Sequence, residues 1–84
     1  MFSRPDQIEL DIIVRNGTLI IFELKSSTDR SQLYIFSCKI AFYEKRHQRT
    51  ADIKILVSPF IHPRARELAQ ELGIETYGDS VIQN

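Results

Sequence analysis

Four charged side chains stand inside apolar runs near the start of the chain, where a charge is costly unless it is paired, hydrated or bound to a metal. Glu9 and Asp11 lie in the first run, and Glu23 and Lys25 end the second. Carboxylates are the hard oxygen ligands that Mg²⁺ or Mn²⁺ prefers, and a nearby lysine can orient a water or hold phosphate oxygens. The combination predicts metal-assisted hydrolysis of a phosphodiester, with the ion polarising the phosphate and lowering the pKa of a bound water.

A β-hairpin is the element expected to position these residues. Ile8–Arg15 and Thr18–Lys25 are rich in Ile, Leu, Val and Phe, as strands are. Asn16-Gly17 between them is the strongest short-range signal for a hairpin. Because side chains alternate between the two faces of a strand, the register of the hairpin decides which charges meet.

Two registers of this hairpin have different consequences for the charges. A two-residue loop places Asp11 opposite Phe22 and leaves both faces mixed, whereas a three-residue connection brings Asp11 opposite Glu23. Burial favours the second register because one face is then free of charge. That face gathers Leu10, Ile12, Val14, Ile20, Phe22 and Leu24. We therefore predict the three-residue connection, with Lys25 and Glu9 on the charged face, where a cation offsets the repulsion between opposed carboxylates.

The rest of the chain predicts alternating helices and strands. The third strand is a continuous apolar run, as a buried parallel strand is, and proline and glycine mark the two ends of the second helix. In chain order the elements are a helix from the cap candidates Ser26–Asp29 to about Arg46, the strand Ile53–Ser58, a helix from Pro63 to Gly73 and the strand Ile74–Tyr77.

The first helix carries two apolar stripes, and a single sheet can cover only one of them. One stripe comprises Leu33, Phe36, Ile40 and Tyr43, and the other comprises Ile35, Cys38 and Phe42. An uncovered apolar patch of this kind marks an interaction site, and a small chain exposes a large share of its surface. We therefore expect a homodimer whose interface covers apolar surface of this helix or an open sheet edge.

Composition narrows the class of protein further. The 84 residues predict a single domain, 1–84. The formal net charge is zero, which argues against a protein that coats nucleic acid without sequence specificity, because such proteins are usually basic. The composition still allows a local basic face, formed by Lys45, Arg46, His47 and Arg49. The single Cys38 forms no internal disulfide. No apolar run is long enough to span a membrane and no signal peptide is recognised, so a cytoplasmic location is expected.

The pattern of Asp11 on one strand and Glu23-Leu24-Lys25 on the next resembles the signature of the PD-(D/E)XK nuclease superfamily, including archaeal and cyanobacterial proteins with a restriction-endonuclease-like domain. The resemblance covers roughly Ile8 to Tyr77. It implies an α/β fold with a mixed β-sheet flanked by helices, in the order ββαβαβ. It also implies that Asp11 and Glu23 ligate Mg²⁺ or Mn²⁺, that Leu24 offers its backbone carbonyl, and that Lys25 assists the nucleophile in cleaving DNA.

The chain departs from that superfamily at its start. The family core usually opens with a helix that carries an acidic residue and then a strand, and Met1–Gln7 is too short for either. We therefore expect a minimal core, truncated at the N-terminus, in which Glu9 is a weak substitute for the missing acid. Because the fold also has inactive members, the alternative is a catalytically inactive nuclease-fold module for dimerisation or nucleic-acid binding.

Overall fold

The computed structural model describes residues 10–78, which form four strands and two helices. The predicted order ββαβαβ is confirmed, and the ends of each helix agree with the prediction to within about one residue. In chain order the elements are β1 (Asp11–Arg15), β2 (Thr18–Leu24), α1 (Arg30–His47), β3 (Ile53–Val57), α2 (Pro63–Leu72) and β4 (Glu75–Tyr77). Within these residues, neither helix is long and apolar enough to cross a membrane.

The strands form one mixed sheet in the order β1-β2-β3-β4. β1 and β2 are antiparallel, whereas β2 with β3 and β3 with β4 are parallel. Each parallel connection contains one helix, as such crossovers usually do. Both helices therefore begin at the same edge of the sheet, where the carboxyl ends of β2 and β3 lie.

Both helices contribute to a single hydrophobic core against one face of the sheet. The predicted inner stripe of α1 is confirmed, since Leu33, Phe36 and Ile40 are buried and Tyr43 packs against the core. The full set of buried apolar residues is Leu19, Ile21, Leu33, Phe36, Ile40, Ala51, Leu56, Ile61, Ala65, Leu68, Ala69 and Ile74. The second stripe of α1 faces away from this core, with Ile35, Cys38 and Phe42 exposed.

Local hydrogen bonds fix where the two helices begin. Asp29 caps α1 by accepting from the backbone N–H of Gln32, while the Gln32 side chain accepts from the backbone N–H of Asp29, which completes a capping box. His62 caps α2 by accepting from the backbone N–H of Arg64, with Pro63 at the first helical position. Asp29 is thus confirmed as one of the predicted cap candidates, and His62 is the cap of α2.

The connector between α1 and β3 is tied to the start of β2. The backbone N–H of Leu19 donates to the Asp52 carboxylate at 2.7 Å, and the backbone N–H of Asp52 donates to the Leu19 carbonyl at 2.9 Å. Arg49 Nη2 donates to the Gly17 carbonyl in the hairpin turn at 2.6 Å. Hydrogen bonds therefore join the hairpin turn, the start of β2 and the α1–β3 connector at one end of the sheet.

The predicted register of the hairpin is wrong, because the structure has the two-residue loop. Arg15 pairs with Thr18, and Asp11 pairs with Phe22 rather than with Glu23. Asn16 and Gly17 have φ values of 52° and 80°, the positive φ at both positions that a type I′ turn requires. This turn matches the twist of the flanking strands and fixes the register. The expected charge-free face therefore does not form.

The resulting alternation leaves the second face of the sheet apolar and open. Ile13, Leu24 and Tyr77 are large exposed side chains on this face. Within residues 10–78, both helices lie on the other side. The sheet described here is thus flanked by helices on one face.

Candidate active site

Glu23 and Lys25 come together at the carboxyl end of β2. Lys25 Nζ lies 3.5 Å from Glu23 Oε2, and the backbone N–H of Lys25 continues the pairing with β3 by donating to the Val57 carbonyl at 2.9 Å. Alternation of side chains puts Glu23 on the helix-covered face, with only 13% of its side chain exposed. The Glu-x-Lys motif therefore presents a shielded carboxylate and an ammonium group at the edge where both helices begin.

A second lysine completes this cluster, and the sequence interpretation did not include it. Lys39 on α1 places Nζ 3.3 Å from Glu23 Oε2 and 3.5 Å from Oε1. Its position in the sequence offered a signal, because it lies three residues after Phe36 and next to Ile40 in the buried stripe. A charge that close to the core needs a partner, and Glu23 is that partner.

Asp11 does not join Glu23 and Lys25 in this structure. It is the exposed first residue of the edge strand β1, and the observed register points it to the open face, opposite to Glu23. Leu24, whose carbonyl was expected to contribute, lies between Glu23 and Lys25 with its side chain exposed. Glu9 lies outside the described residues.

The donor set near Glu23 determines what kind of metal site these residues fit. Within residues 10–78 there is no group of three or more His, Cys, Asp or Glu side chains that could enclose an ion. One shielded carboxylate followed by a backbone carbonyl supplies hard oxygen donors. Mg²⁺ commonly keeps several waters and takes only one or two carboxylates together with substrate phosphates. Glu23 and Leu24 therefore fit an ion held jointly with substrate, and not an ion enclosed by protein.

The basic residues after α1 lie away from this cluster. Arg49 binds the hairpin turn at Gly17, which is at the opposite end of β2 from Glu23. Lys45 and Arg46 occupy the last turn of α1, where positive charge complements the helix dipole. The basic segment is thus separated from the Glu23 cluster by the length of β2.

Comparisons with known proteins agree with this fold. The family model of the PD-(D/E)XK nuclease superfamily matches residues 6–75, and the chain belongs to that superfamily. Its fold is also similar to a solved structure, that of EndoMS in apo form, with a TM-score of 0.63 and 16% sequence identity. That match covers 82% of this chain and 35% of the EndoMS chain, so this chain spans about a third of EndoMS. No curated protein matches the sequence.

Membership of the superfamily confirms the family resemblance, and the α/β restriction-endonuclease-like fold is confirmed with it. The chain is therefore a nuclease-like domain. The structure brings together only the second half of that motif, with Lys39 added from α1.

Proposed function

We propose that this chain is a metal-dependent nuclease domain that hydrolyses phosphodiester bonds in DNA. The observation that carries the proposal is the Glu23–Lys25 pair at the carboxyl end of β2, within the motif that gives the superfamily its name. A carboxylate and an ammonium group 3.5 Å apart at the carboxyl end of β2 are groups that such a reaction needs.

Each residue of the motif has a proposed role. When bound, Mg²⁺ or Mn²⁺ would polarise the phosphodiester and lower the pKa of a bound water. The Glu23 carboxylate and the Leu24 carbonyl would hold the ion. Lys25 would bind a non-bridging phosphate oxygen or orient the attacking water, because its ammonium group is a compact charge on a flexible stem. Lys39 would act as a positioning residue that fixes the Glu23 carboxylate.

Asp11 is proposed as the second catalytic carboxylate, with Glu9 as a weaker candidate ligand. In the observed register Asp11 lies opposite Phe22, on the other face of the sheet from Glu23. A one-residue shift of β1 that brought Asp11 opposite Glu23 would also replace the two-residue turn and reverse the faces of β1. The role proposed for Asp11 therefore requires the hairpin to rearrange when metal and DNA bind.

Cleavage of DNA with and without Mn²⁺ tests this function. The wild-type protein should cleave in Mn²⁺ and not in EDTA. Glu23→Gln and Lys25→Ala should each reduce the rate on the order of 100-fold or more, because each removes a charge that acts on the reacting phosphate. Glu75→Gln, an exposed carboxylate on β4, is the matched control and should cleave at the wild-type rate. Metal-independent cleavage, or full activity in Glu23→Gln, would refute the proposal.

A second candidate function is a catalytically inactive module that binds nucleic acid. The opposite faces of Asp11 and Glu23, together with two lysines that neutralise Glu23, favour it. Isothermal titration with Mn²⁺ in the presence of a non-cleavable phosphorothioate DNA separates the two. Binding of DNA without any Mn²⁺ heat supports the inactive module, and a Mn²⁺ heat that is lost in Glu23→Gln supports the nuclease.

We also propose that the protein is a homodimer. Ile35, Cys38 and Phe42 form an exposed apolar stripe along α1, which we call the outer stripe. The same stripe on a second copy would cover it around a two-fold axis, because such an interface uses one surface patch twice. Two sites arranged in this way could act on the two strands of one duplex.

A further inference from the structure

A cleft of about 370 Å³ opens where both helices begin, at the end of the sheet that also carries Glu23. Its walls come from the loop after β2 and the loop after β3. The lining residues are Ser27, Thr28, Asp29, Gln32, Phe60, Ile61, His62 and Pro63. Its volume falls at the lower end of the range for small-ligand pockets, and its walls combine apolar surface with a few polar groups, as such pockets do.

The aromatic wall of this cleft is exposed but its backbone is held in place. Phe60 is 57% exposed, so much of its side chain is open to a ligand. Its carbonyl accepts from the backbone N–H of Thr28 and from Ser58 Oγ, each at 2.8 Å. The ring is therefore presented from a fixed loop.

A buried hydroxyl in the same cleft lacks a hydrogen-bond partner. Thr28 is only 3% exposed, and its Oγ1 has no partner among residues 10–78. Leaving a buried polar atom unpaired costs about 1–3 kcal/mol, so such an atom is an indication of a missing partner. Both backbone groups of Thr28 are already paired, with Phe60 and His62. The hydroxyl is therefore the one group of Thr28 without a partner among the described residues.

Arginines gather beside the cleft at positions that helix stability does not explain. Arg30 is the first residue of α1 and Arg64 the second of α2, where the helix dipole disfavours a cation. Their side chains line a common groove with Glu67 and Glu71, which lie one and two turns further along α2. The positive end of the groove is therefore the end next to the cleft.

From these observations we infer that the cleft binds an unpaired nucleobase, stacked on Phe60, while Arg30 and Arg64 contact the adjoining phosphates. Aromatic stacking with flanking cations is how proteins hold single-stranded nucleic acid. Asp29 Oδ1 accepts the hydrogen bonds of the cap, and its other carboxylate oxygen, Oδ2, can accept from the edge of the base. The inference rests on the proposed function and specifies its substrate, namely DNA with a single-stranded or unpaired segment next to the cleaved bond.

Fluorescence anisotropy in EDTA tests the inference without cleavage. The probes are a labelled oligothymidylate, the same strand with abasic sites, and a duplex of equal length. The wild-type protein should bind the oligothymidylate most tightly. Phe60→Ala should weaken that binding on the order of 5- to 100-fold, whereas Phe60→Trp should retain it. Tyr34→Ala is the matched control, since Tyr34 on α1 is 56% exposed and outside the cleft, and it should bind as wild type.

The outcomes separate this inference from the proposed function. Equal binding by wild type and Phe60→Ala, or equal affinity of the wild type for the abasic and thymidine strands, would overturn the base site. Loss of single-strand binding in Phe60→Ala supports it even if Mn²⁺ produces no cleavage, in which case only the nuclease proposal fails. If Phe60→Ala still cleaves DNA and binds single strands as the wild type does, the nuclease proposal stands and the proposed base site in the cleft is refuted.

Discussion

Lys39 on α1 and Glu23 on β2 form an ion pair that joins the long helix to the sheet, with Nζ 3.3 Å from Oε2. Because Lys25 lies 3.5 Å from the same oxygen, two ammonium groups share one carboxylate. A divalent ion that binds Glu23 must approach both lysines. The helix therefore influences metal binding through charge as well as through the position of Glu23.

Replacing Lys39 should strengthen metal binding. Lys39→Met keeps most of the side-chain volume and removes one positive charge, so the affinity for Mn²⁺ should rise roughly tenfold as repulsion is relieved. Isothermal titration measures this, with Lys45→Met, an exposed lysine at the end of the same helix, as the control. An affinity that stays the same or falls would show that Lys39 acts only by orienting Glu23.

Neutralising Asp11 should not change the stability of the metal-free protein. Asp11 is exposed and is paired with Phe22, so Asp11→Asn should alter the free energy of unfolding by no more than about 0.5 kcal/mol. Glu23→Gln should lower it by about 1 kcal/mol, because two lysines lose their partner. Urea denaturation compares the two. An increase in stability for Asp11→Asn would instead indicate opposed carboxylates in the metal-free protein, a register that differs from the observed one.

The hairpin turn should be sensitive to substitution at one position. Gly17 has φ of 80° and open space around an added Cβ, so Gly17→Ala costs backbone strain alone, about 1–2 kcal/mol in unfolding free energy. Asn16→Gly, at φ of 52°, is the control, and little change is expected because both asparagine and glycine adopt this left-handed conformation readily. Thermal denaturation measures both. A Gly17→Ala protein as stable as wild type would contradict the left-handed conformation of Gly17 in this turn.

The cap of α1 should make stability depend on pH. The backbone N–H of Gln32 donates to the Asp29 carboxylate and, with Ser31 Oγ, holds the pKa of Asp29 below its ordinary value. The group therefore contributes stability above its unfolded pKa of about 4 and loses it as pH falls through the lower folded pKa. Asp29→Asn keeps a capping oxygen without a titratable charge. Its deficit in unfolding free energy relative to wild type should shrink as pH falls, and a deficit independent of pH would contradict the argument.

The proposed dimer makes a prediction about the outer stripe. Sedimentation equilibrium at micromolar concentration should give twice the mass of one chain for the wild type. Ile35→Asp should give a monomer, because a charge in the centre of an apolar interface is left unpaired. Tyr77→Asp, on the open face of the sheet, is the control and should remain a dimer. A monomeric wild type would refute the dimer, and a monomeric Tyr77→Asp with a dimeric Ile35→Asp would move the interface to the sheet.

The elements of this fold could be predicted from the sequence because their signals are local. Pro63 and Gly73 delimit α2, and Asp29 with Gln32 starts α1, each through contacts within a few residues. Asn16-Gly17 likewise identified the hairpin.

The register and the composition of the site could not be predicted in the same way. The burial argument placed Glu23 away from the core, but the helices pack on the face of β2 that carries Leu19, Ile21 and Glu23. The turn then puts Ile12 and Val14, and not Asp11, on that face. Glu23 is tolerated there because Lys39, 16 residues later, neutralises the carboxylate. A contact of this kind depends on how α1 packs on the sheet, which no local pattern specifies.

The paired hydrogen bonds between Leu19 and Asp52 have a consequence for how the protein opens. A hairpin at the edge of a sheet would ordinarily fray by itself and exchange its amide protons early. Here β2 cannot separate from β3 at this end until the α1–β3 connector is also released, and the Arg49 contact adds the turn to the same unit. Hairpin, connector and β3 therefore form one cooperative unfolding unit, and the amide protons of Leu19 and Asp52 should exchange together through its opening.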